Sequence, residues 1–247
     1  MNIRVFTILL CLCALPLRGM AQHQAEFQKA NELFRQQSYA QAAAVYGQMI
    51  DQGVKDPVLY YNAGCALAAL KQNGRAAAMF ERALRLNPRY EKARQNLARV
   101  RPSTTTAKPM FILVPFEYLF DHFTADEFFL STMIFYWLAI AAAIAWLFTR
   151  GMRRIASGTS AIVLLFAMLF CGGFYLLRAG REQWIEAVAL NDNTIARSGP
   201  SEKNVEQDII AAGVKMRCLE SPQEGWIKVQ LPNGHLGFVE QKAVEIL

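Results

Sequence analysis

Few side chains in this sequence have the types and spacing that catalysis requires. The three histidines, His23, His122 and His235, lie in separate segments, and the carboxylates are scattered. The sequence has no glycine-rich phosphate loop, no HExxH zinc motif and no GxSxG nucleophile motif. We therefore predict that the chain is not an enzyme and that it needs no cofactor.

The cysteines do not indicate a metal site or a disulfide framework. Two of the five lie in the first 21 residues, and the remaining three, Cys65, Cys171 and Cys218, are far apart in the sequence. No CxxC pair is present. We expect these three residues to be small buried apolar side chains.

The composition points to membrane segments that accompany soluble domains. Of 247 residues, 53% are hydrophobic and only 19% are charged, against about 45–50% and 25% in typical soluble domains. This balance excludes a disordered, collagen-like or coiled-coil chain. The formal charge of +6 is unevenly spread, and we expect no nucleic-acid partner.

The first 21 residues are predicted to be a signal peptide. Arg4 supplies a positive start, the run Val5–Leu15 is apolar, and Gly19 and Ala21 are small residues at the positions that a signal peptidase reads. The alternative is an uncleaved membrane anchor, although the apolar run is shorter than the ~20 residues of a transmembrane helix.

A 34-residue repeat follows. When 57–90 is aligned with 23–56, small and large apolar positions alternate at one fixed period. The aligned pairs are Ala30 with Gly64, Leu33 with Leu67, Ala42 with Ala76, Tyr46 with Phe80, and Met49 with Ala83. For the second unit the pattern predicts helices over Tyr60–Leu70 and Ala76–Leu86, with Gln72–Gly74 as the turn. Residues 91–101 are predicted to be a third helix that caps the stack.

The second unit resembles the tetratricopeptide repeat (TPR). The residues that carry the resemblance are Tyr60, Gly64, Leu67, Ala76, Phe80, Ala83 and Pro88. It implies an all-α TPR superhelix over residues 22–101, with a concave groove that binds peptides or proteins. The segment holds 12 basic and 6 acidic residues, so the groove would favour acidic or carboxyl-terminal peptides; the alternative is a solvated positive face.

Some repeats of this family hold a partner's terminal carboxylate with Lys and Asn side chains from successive first helices. Asn31, Asn62 and Lys92 stand at those positions in this sequence. Phe27 and Asn96 stand where the family would place basic residues. The resemblance therefore implies only a partial carboxylate site, and these five residues are the candidate groove residues.

Residues 102–127 are predicted to be a linker that contains an amphipathic aromatic helix. After Pro115, the apolar residues Phe116, Leu119, Phe120 and Phe123 follow i, i+3, i+4, i+7 spacing. Such a helix could lie on a lipid surface or pack against a partner's membrane helix. The third possibility is a connector with buried aromatic side chains.

Two uncharged segments, 128–148 and 155–177, are each long enough to cross a bilayer as a helix. The loop 149–154 between them contains three arginines, which predicts a cytoplasmic loop. With an exported N-terminus, both soluble parts would then lie in the periplasm and the chain in a bacterial inner membrane. Because neither segment contains Asp, Glu, Lys, Arg or His, a transport function is not expected.

The tail, 186–247, has the turn spacing of short β-strands. We predict a strand over Trp226–Leu231, a two-residue Asn233-Gly234 turn and a returning strand over Leu236–Val239. The stretches Ile195–Ser201, Gly225–Val229 and Gly234–Val239 resemble the bacterial SH3-like family, which includes cell-wall and peptide binders.

This second resemblance implies a small all-β barrel with a shallow groove. Its candidate groove residues are Arg197, Trp226 and Phe238, although we expect Trp226 to be a core residue rather than a ligand platform. Residues 182–247 hold 6 basic and 10 acidic side chains. This charge is opposite to that of the repeats, so the two soluble parts could touch each other.

The order of segments resembles the BatE family of the Bacteroides aerotolerance operon. That resemblance implies a multidomain membrane protein whose partners are von Willebrand A-type membrane proteins, further TPR proteins and, indirectly, a MoxR-type ATPase. We therefore expect a non-enzymatic membrane adaptor in a complex related to aerotolerance or stress resistance. The alternative is a cell-wall sensor or tether that binds peptidoglycan through the SH3-like domain.

Overall fold

The computed structural model describes residues 23–101, 118–119, 122–220 and 222–247. The predicted signal peptide and most of the predicted linker lie outside these residues. The described chain forms two compact units, one made of residues 23–101 with 186–247 and the other of residues 118–185. It is a mixed protein with a series of short helices, two long apolar helices and one antiparallel sheet of seven strands.

Five short helices open the first unit, and their first residues recur every 34 residues. The first, α1, covers 23–35; the others are α2 (Tyr39–Asp51), α3 (Pro57–Ala69), α4 (Asn73–Leu86) and α5 (Glu91–Val100). Pro57 and Glu91 begin α3 and α5, and Tyr39 and Asn73 begin α2 and α4. The same period relates Gln37 and Lys71, each of which has a φ of 60° in the turn between two helices.

Local sequence signals explain where the second pair of helices begins, and they correct the predicted bounds. The helix α3 begins at Pro57 rather than Tyr60, because the Asp56 carboxylate accepts hydrogen bonds from the Val58 and Leu59 N–H groups and proline is favoured in the first helical turn. The helix α4 begins at Asn73. Gly74 therefore belongs to α4, and the predicted turn at Gln72–Gly74 is wrong.

The aligned small and large residues of the two repeats form the packing between these helices. Tyr46 and Phe80 are both fully buried, and so are Ala42 and Ala76. A Cβ on Gly64 would lie 2.6 Å from the Phe80 ring, so glycine is what lets that ring pack against the α3 backbone. One helix pair cannot bury both of its apolar faces, so each pair is stabilised by the next.

The tail forms a single antiparallel sheet. Its strands are β1 (Glu186–Ala189), β2 (Thr194–Arg197), β3 (Glu206–Ile210), β4 (Lys215–Cys218), β5 (Trp226–Gln230), β6 (Leu236–Glu240) and β7 (Val244–Ile246). They lie in the order β3-β2-β6-β5-β4-β1-β7, with β3 and β7 at the edges. Alternate residues of these strands, including Ile227, Val229 and Val239, pack into a core of their own.

The hairpin between β5 and β6 has a three-residue loop, so the predicted two-residue turn is wrong. Gly234 donates to the Leu231 carbonyl at 2.9 Å, and Leu231 donates to the His235 carbonyl at 2.9 Å. Gly234 has a φ of 87°, which fits a turn followed by one left-handed residue. A two-residue loop would place Pro232 in the ladder, where it has no N–H to donate.

The sheet is seated on α4. Val188 of β1 is fully buried in a cluster with alanines of α4 and with Leu97 of α5. The backbones come very close there, because a Cβ on Gly74 would lie 2.2 Å from the Leu190 carbonyl oxygen. The prediction that the two soluble parts could touch is consistent with this packing, which buries apolar side chains as well as joining opposite charges.

The second unit is a pair of long apolar helices, α6 (Ala125–Phe148) and α7 (Met152–Glu182). Each is long and apolar enough to cross a membrane. A capping box between Thr124 and Glu127 begins α6, and the turn after it contains Gly151 with a φ of 61°. Of the predicted amphipathic helix, Leu119 and Phe123 are described and pack against Phe128 and Phe174.

Candidate partner-binding surfaces

Side-chain amides join the first helix of each repeat to the next. The Asn62 amide donates to the Asn31 carbonyl oxygen at 3.0 Å, and the Tyr46 hydroxyl donates to the same oxygen at 2.7 Å. Burial raises the pKa of Tyr46 to about 12, so its hydroxyl keeps its proton at neutral pH. Asn31 and Asn62, two of the predicted groove residues, are therefore brought together.

The same contact recurs one repeat further on. The Asn96 amide donates to the Cys65 sulfur at 3.4 Å and to the Tyr61 hydroxyl at 3.4 Å. Burial raises the pKa of the Cys65 thiol, so this cysteine is protonated and unreactive at neutral pH. We call Asn31, Asn62, Cys65 and Asn96 the amide ladder; it runs along α1, α3 and α5.

Aromatic rings beside the ladder repeat as well. The Phe27 and Tyr46 ring centroids are 6.1 Å apart, and the Tyr61 and Phe80 centroids, 34 residues on, are 6.0 Å apart. The hydroxyl lies on the second helix in the first pair and on the first helix in the second pair. Phe27 contributes ring packing. Each repeat supplies one tyrosine hydroxyl to the ladder, from Tyr46 in the first repeat and from Tyr61 in the second.

Lys92 is the one exposed member of the five predicted groove residues. It lies four residues before Asn96 on α5, so the two side chains share one face of that helix. The Arg99 guanidinium donates to the Asn96 side-chain oxygen at 3.3 Å. The end of the ladder at α5 is thus positively charged, whereas the end at α1 and α3 is neutral.

Two arginines of α4, Arg82 and Arg85, face the sheet rather than an open groove. Arg82 pairs with Glu245 at 2.7 Å, and Arg85 pairs with Glu186 at 2.7 Å. Two of the twelve basic residues of the repeats are therefore matched by carboxylates of the chain's own sheet.

A connected set of charged side chains holds the sheet on the helices. Glu81 of α4 pairs with both Arg101 and Lys215, and Lys215 also pairs with Glu186 at 2.7 Å. We call Arg85, Glu186, Lys215, Glu81 and Arg101 the ionic network. Burial acts to raise the pKa of Glu186, but attraction to Lys215 and Arg85 outweighs it and lowers the pKa below its ordinary value. The carboxylate is therefore ionised at neutral pH.

The three predicted residues of the tail lie on one outer face of the sheet. Arg197 and Phe238 are direct partners across β2 and β6, and Phe238 lies opposite Lys228 of β5. Trp226 is two residues from Lys228 on the same strand and so points to the same side. The Arg197 guanidinium pairs with Glu206 at 3.2 Å and donates to the Asn204 carbonyl at 3.1 Å.

Trp226 is not a core residue, so that expectation is wrong. The fully buried residues of its strand are Ile227 and Val229, and alternation places Trp226 on the opposite side. It forms part of the wall of a cleft of about 600 Å³, together with the carboxylate residues Glu202 and Glu240. The sequence carried this signal, because Lys228 and Gln230 share the parity of Trp226 and are unsuited to a core.

The described residues show no cluster of three or more metal-ligating side chains, and the described cysteines are free thiols. No family model matches the chain, and no curated protein matches it. The surfaces are therefore interpreted from their own chemistry: a ladder of neutral amides that becomes cationic at α5, and an aromatic face on the sheet.

Proposed function

We propose that this chain is a non-enzymatic adaptor of the bacterial inner membrane. Its TPR array would bind a protein partner in the periplasm, its two long helices would cross the bilayer, and its SH3-like sheet would brace the array. The observation that carries the proposal is the amide ladder, which repeats over three helices while the α4 side is covered by the sheet.

The 34-residue period supports the TPR assignment. Helix starts, left-handed turn residues, ring pairs and amide contacts all recur at this spacing, from Phe27 with Tyr46 to Tyr61 with Phe80. In such arrays the first helices of successive repeats line one continuous surface. An extended peptide laid across α1, α3 and α5 would meet amide groups first and positive charge last.

The composition of the first unit supports a hairpin that enters and leaves the membrane on one side. Segments before and after the two long helices fold together in that unit, so both must lie in the same compartment. An even number of crossings satisfies this condition. The arginines at 150, 153 and 154 favour a cytoplasmic turn, and with such a turn the folded unit would lie in the periplasm.

The proposed partners are membrane proteins of the von Willebrand A type and further TPR proteins, as the resemblance to the BatE family implies. Such a complex would be related to aerotolerance or stress resistance. A cationic end at Lys92 suits an acidic or carboxyl-terminal segment of such a partner.

Reversing the charge of Lys92 tests the adaptor role. We expect Lys92→Glu to lower partner recovery from detergent extracts by at least about tenfold, because a hydrogen bond to a charged group contributes about 1.5–3 kcal/mol. Lys29→Glu on α1 makes the same charge change at another exposed position and should leave recovery unchanged. Recovery is measured by affinity capture of the tagged full chain and quantitative mass spectrometry. Equal recovery with both variants would contradict the proposal.

A second function, tethering to the cell wall, is favoured by the partly exposed Trp226 beside its cleft. Aromatic platforms can bind sugar rings or cationic amines. If this function holds, Trp226→Ala should abolish cosedimentation of the detergent-solubilised full chain with purified sacculi. Val205→Ala, at an apolar residue that is 72% exposed, is the control. Failure of the unaltered chain to sediment with sacculi would remove this alternative.

A further inference from the structure

A second cleft, of about 480 Å³, opens beside the ionic network. Its volume falls within the range of small-ligand sites, about 300–1,000 Å³. One part of the wall is apolar and the other charged. The lining residues that matter are Val214, Met216 and Leu231 on the apolar side, and Arg101, Lys215 and Arg217 on the charged side.

The charge around this cleft is positive. Glu186 lines it too, and Glu81 pairs with two of the lining cations. With Arg85, which pairs with Glu186, the ionic network holds three cations and two carboxylates, a net charge of +1, and Arg217 is a further cation of the lining. Both carboxylates are engaged in ion pairs, so an entering anion would meet the excess of positive charge.

Two of these cations keep donors beyond their ion pairs. Arg101 donates from Nη2 to Glu81 and from Nε to the Gly213 carbonyl, and a guanidinium has five N–H donors in all. Lys215 pairs with two carboxylates and has three donors. The cleft can therefore add hydrogen bonds to an anion without breaking the ionic network.

The cleft is close in sequence to the end of a long apolar helix. The helix α7 ends at Glu182 and β1 begins at Glu186, so four peptide units join them, about 13 Å of chain when fully extended. If α7 crosses the bilayer as proposed above, this tether is comparable to the depth of a lipid headgroup layer, about 5–8 Å on each side.

We propose that the cleft between Arg101 and Arg217 binds the phosphate group of an anionic phospholipid headgroup, with its apolar wall against the glycerol. This inference rests on the proposed membrane crossing. The excess of positive charge in the ionic network favours a phospholipid of net charge −1 over a zwitterionic one, and the charged donors suit phosphate oxygens.

Lipid retention by the full chain in detergent tests the site. We expect native mass spectrometry to show phosphatidylglycerol retained about tenfold more than phosphatidylethanolamine, a ratio that corresponds to one charge-assisted contact. Arg217→Gln should remove this preference and Arg217→Lys should restore most of it. Lys242→Gln, at a lysine side chain that is 81% exposed, should have no effect. Equal retention of the two lipids, or equal losses in both Arg217 variants, would overturn the proposal.

Two further arms identify the source of the phosphate and separate this proposal from the membrane topology. Glycerol 3-phosphate should compete only weakly; if it binds as tightly as phosphatidylglycerol, the site takes a soluble phosphate and the lipid assignment is wrong. Alkaline carbonate extraction of membranes reports whether the hairpin is integral. Retention is measured in micelles, so a chain that is extracted as a peripheral protein yet keeps its lipid preference would contradict the topology and not the cleft.

Discussion

Replacing Gly74 by alanine should disrupt the packing of the sheet against α4. We expect it to lower the free energy of unfolding by about 3 kcal/mol, at the upper end of typical overpacking effects. The added Cβ would lie 2.2 Å from the Leu190 carbonyl oxygen and 2.5 Å from its carbon. Neither atom can rotate away as a side chain would, so β1 and α4 must move apart. Urea unfolding of the full chain in mild detergent measures the loss.

Gly47 provides a matched control for this substitution. It lies inside α2, and a Cβ there would meet nothing within 4 Å. Gly47→Ala should therefore stabilise the protein by about 0.5–1 kcal/mol, the usual preference for alanine inside a helix. If both variants were stabilised alike, the close approach of the sheet to α4 would be wrong.

Glycine at 74 illustrates how a local pattern can mislead. Gln72-Asn73-Gly74 has the composition of a turn, and this local pattern predicts one. The actual turn uses Lys71 in a left-handed conformation. Gly74 lies within the helix α4, and it is a glycine because only a residue without a side chain fits against Leu190. The requirement for glycine comes from a contact 116 residues away, which no local pattern contains.

Features that depend on near neighbours were predictable. The 34-residue period arises from packing between adjacent helix pairs. Buried residues such as Ala42 and Ala76 therefore recur at that spacing in the sequence. The two apolar helices follow from long uncharged runs. The side of the sheet on which Trp226 lies was also predictable, because the alternation of polar residues along a strand indicates which side chains face the core.

The ionic network could be foreseen only as a difference of charge between two regions. Arg85 and Glu186 are 101 residues apart, and Glu81 and Lys215 are 134 apart. Opposite net charges indicated attraction, but not which side of the array the sheet would occupy. That choice bears on the proposed function, since a sheet on α4 leaves the half-buried amide ladder uncovered by the sheet, whereas a sheet on the ladder would have covered it.

Replacing Glu81 by alanine should lower the free energy of unfolding by about 2–3 kcal/mol. Loss of one partner of a buried ion pair typically costs about 3–5 kcal/mol, and we expect less here because the Arg101 and Lys215 side chains are 30% and 32% exposed. Both cations would lose the same partner at once. Urea unfolding in mild detergent measures the effect.

Glu32→Ala is the control for an ordinary surface pair. The Glu32 and Arg35 side chains are 52% and 72% exposed and 3.5 Å apart, so this change should alter stability by less than about 0.5 kcal/mol. A double-mutant cycle of Glu81→Ala with Lys215→Met should then show coupling of at least about 1 kcal/mol, since residues within one network are not additive. Because Lys215 belongs to the sheet and Glu81 to α4, this coupling directly reports the contact between the sheet and α4. Additive effects of the two substitutions would mean that the pairing of Glu81 with Lys215 does not hold the sheet on α4.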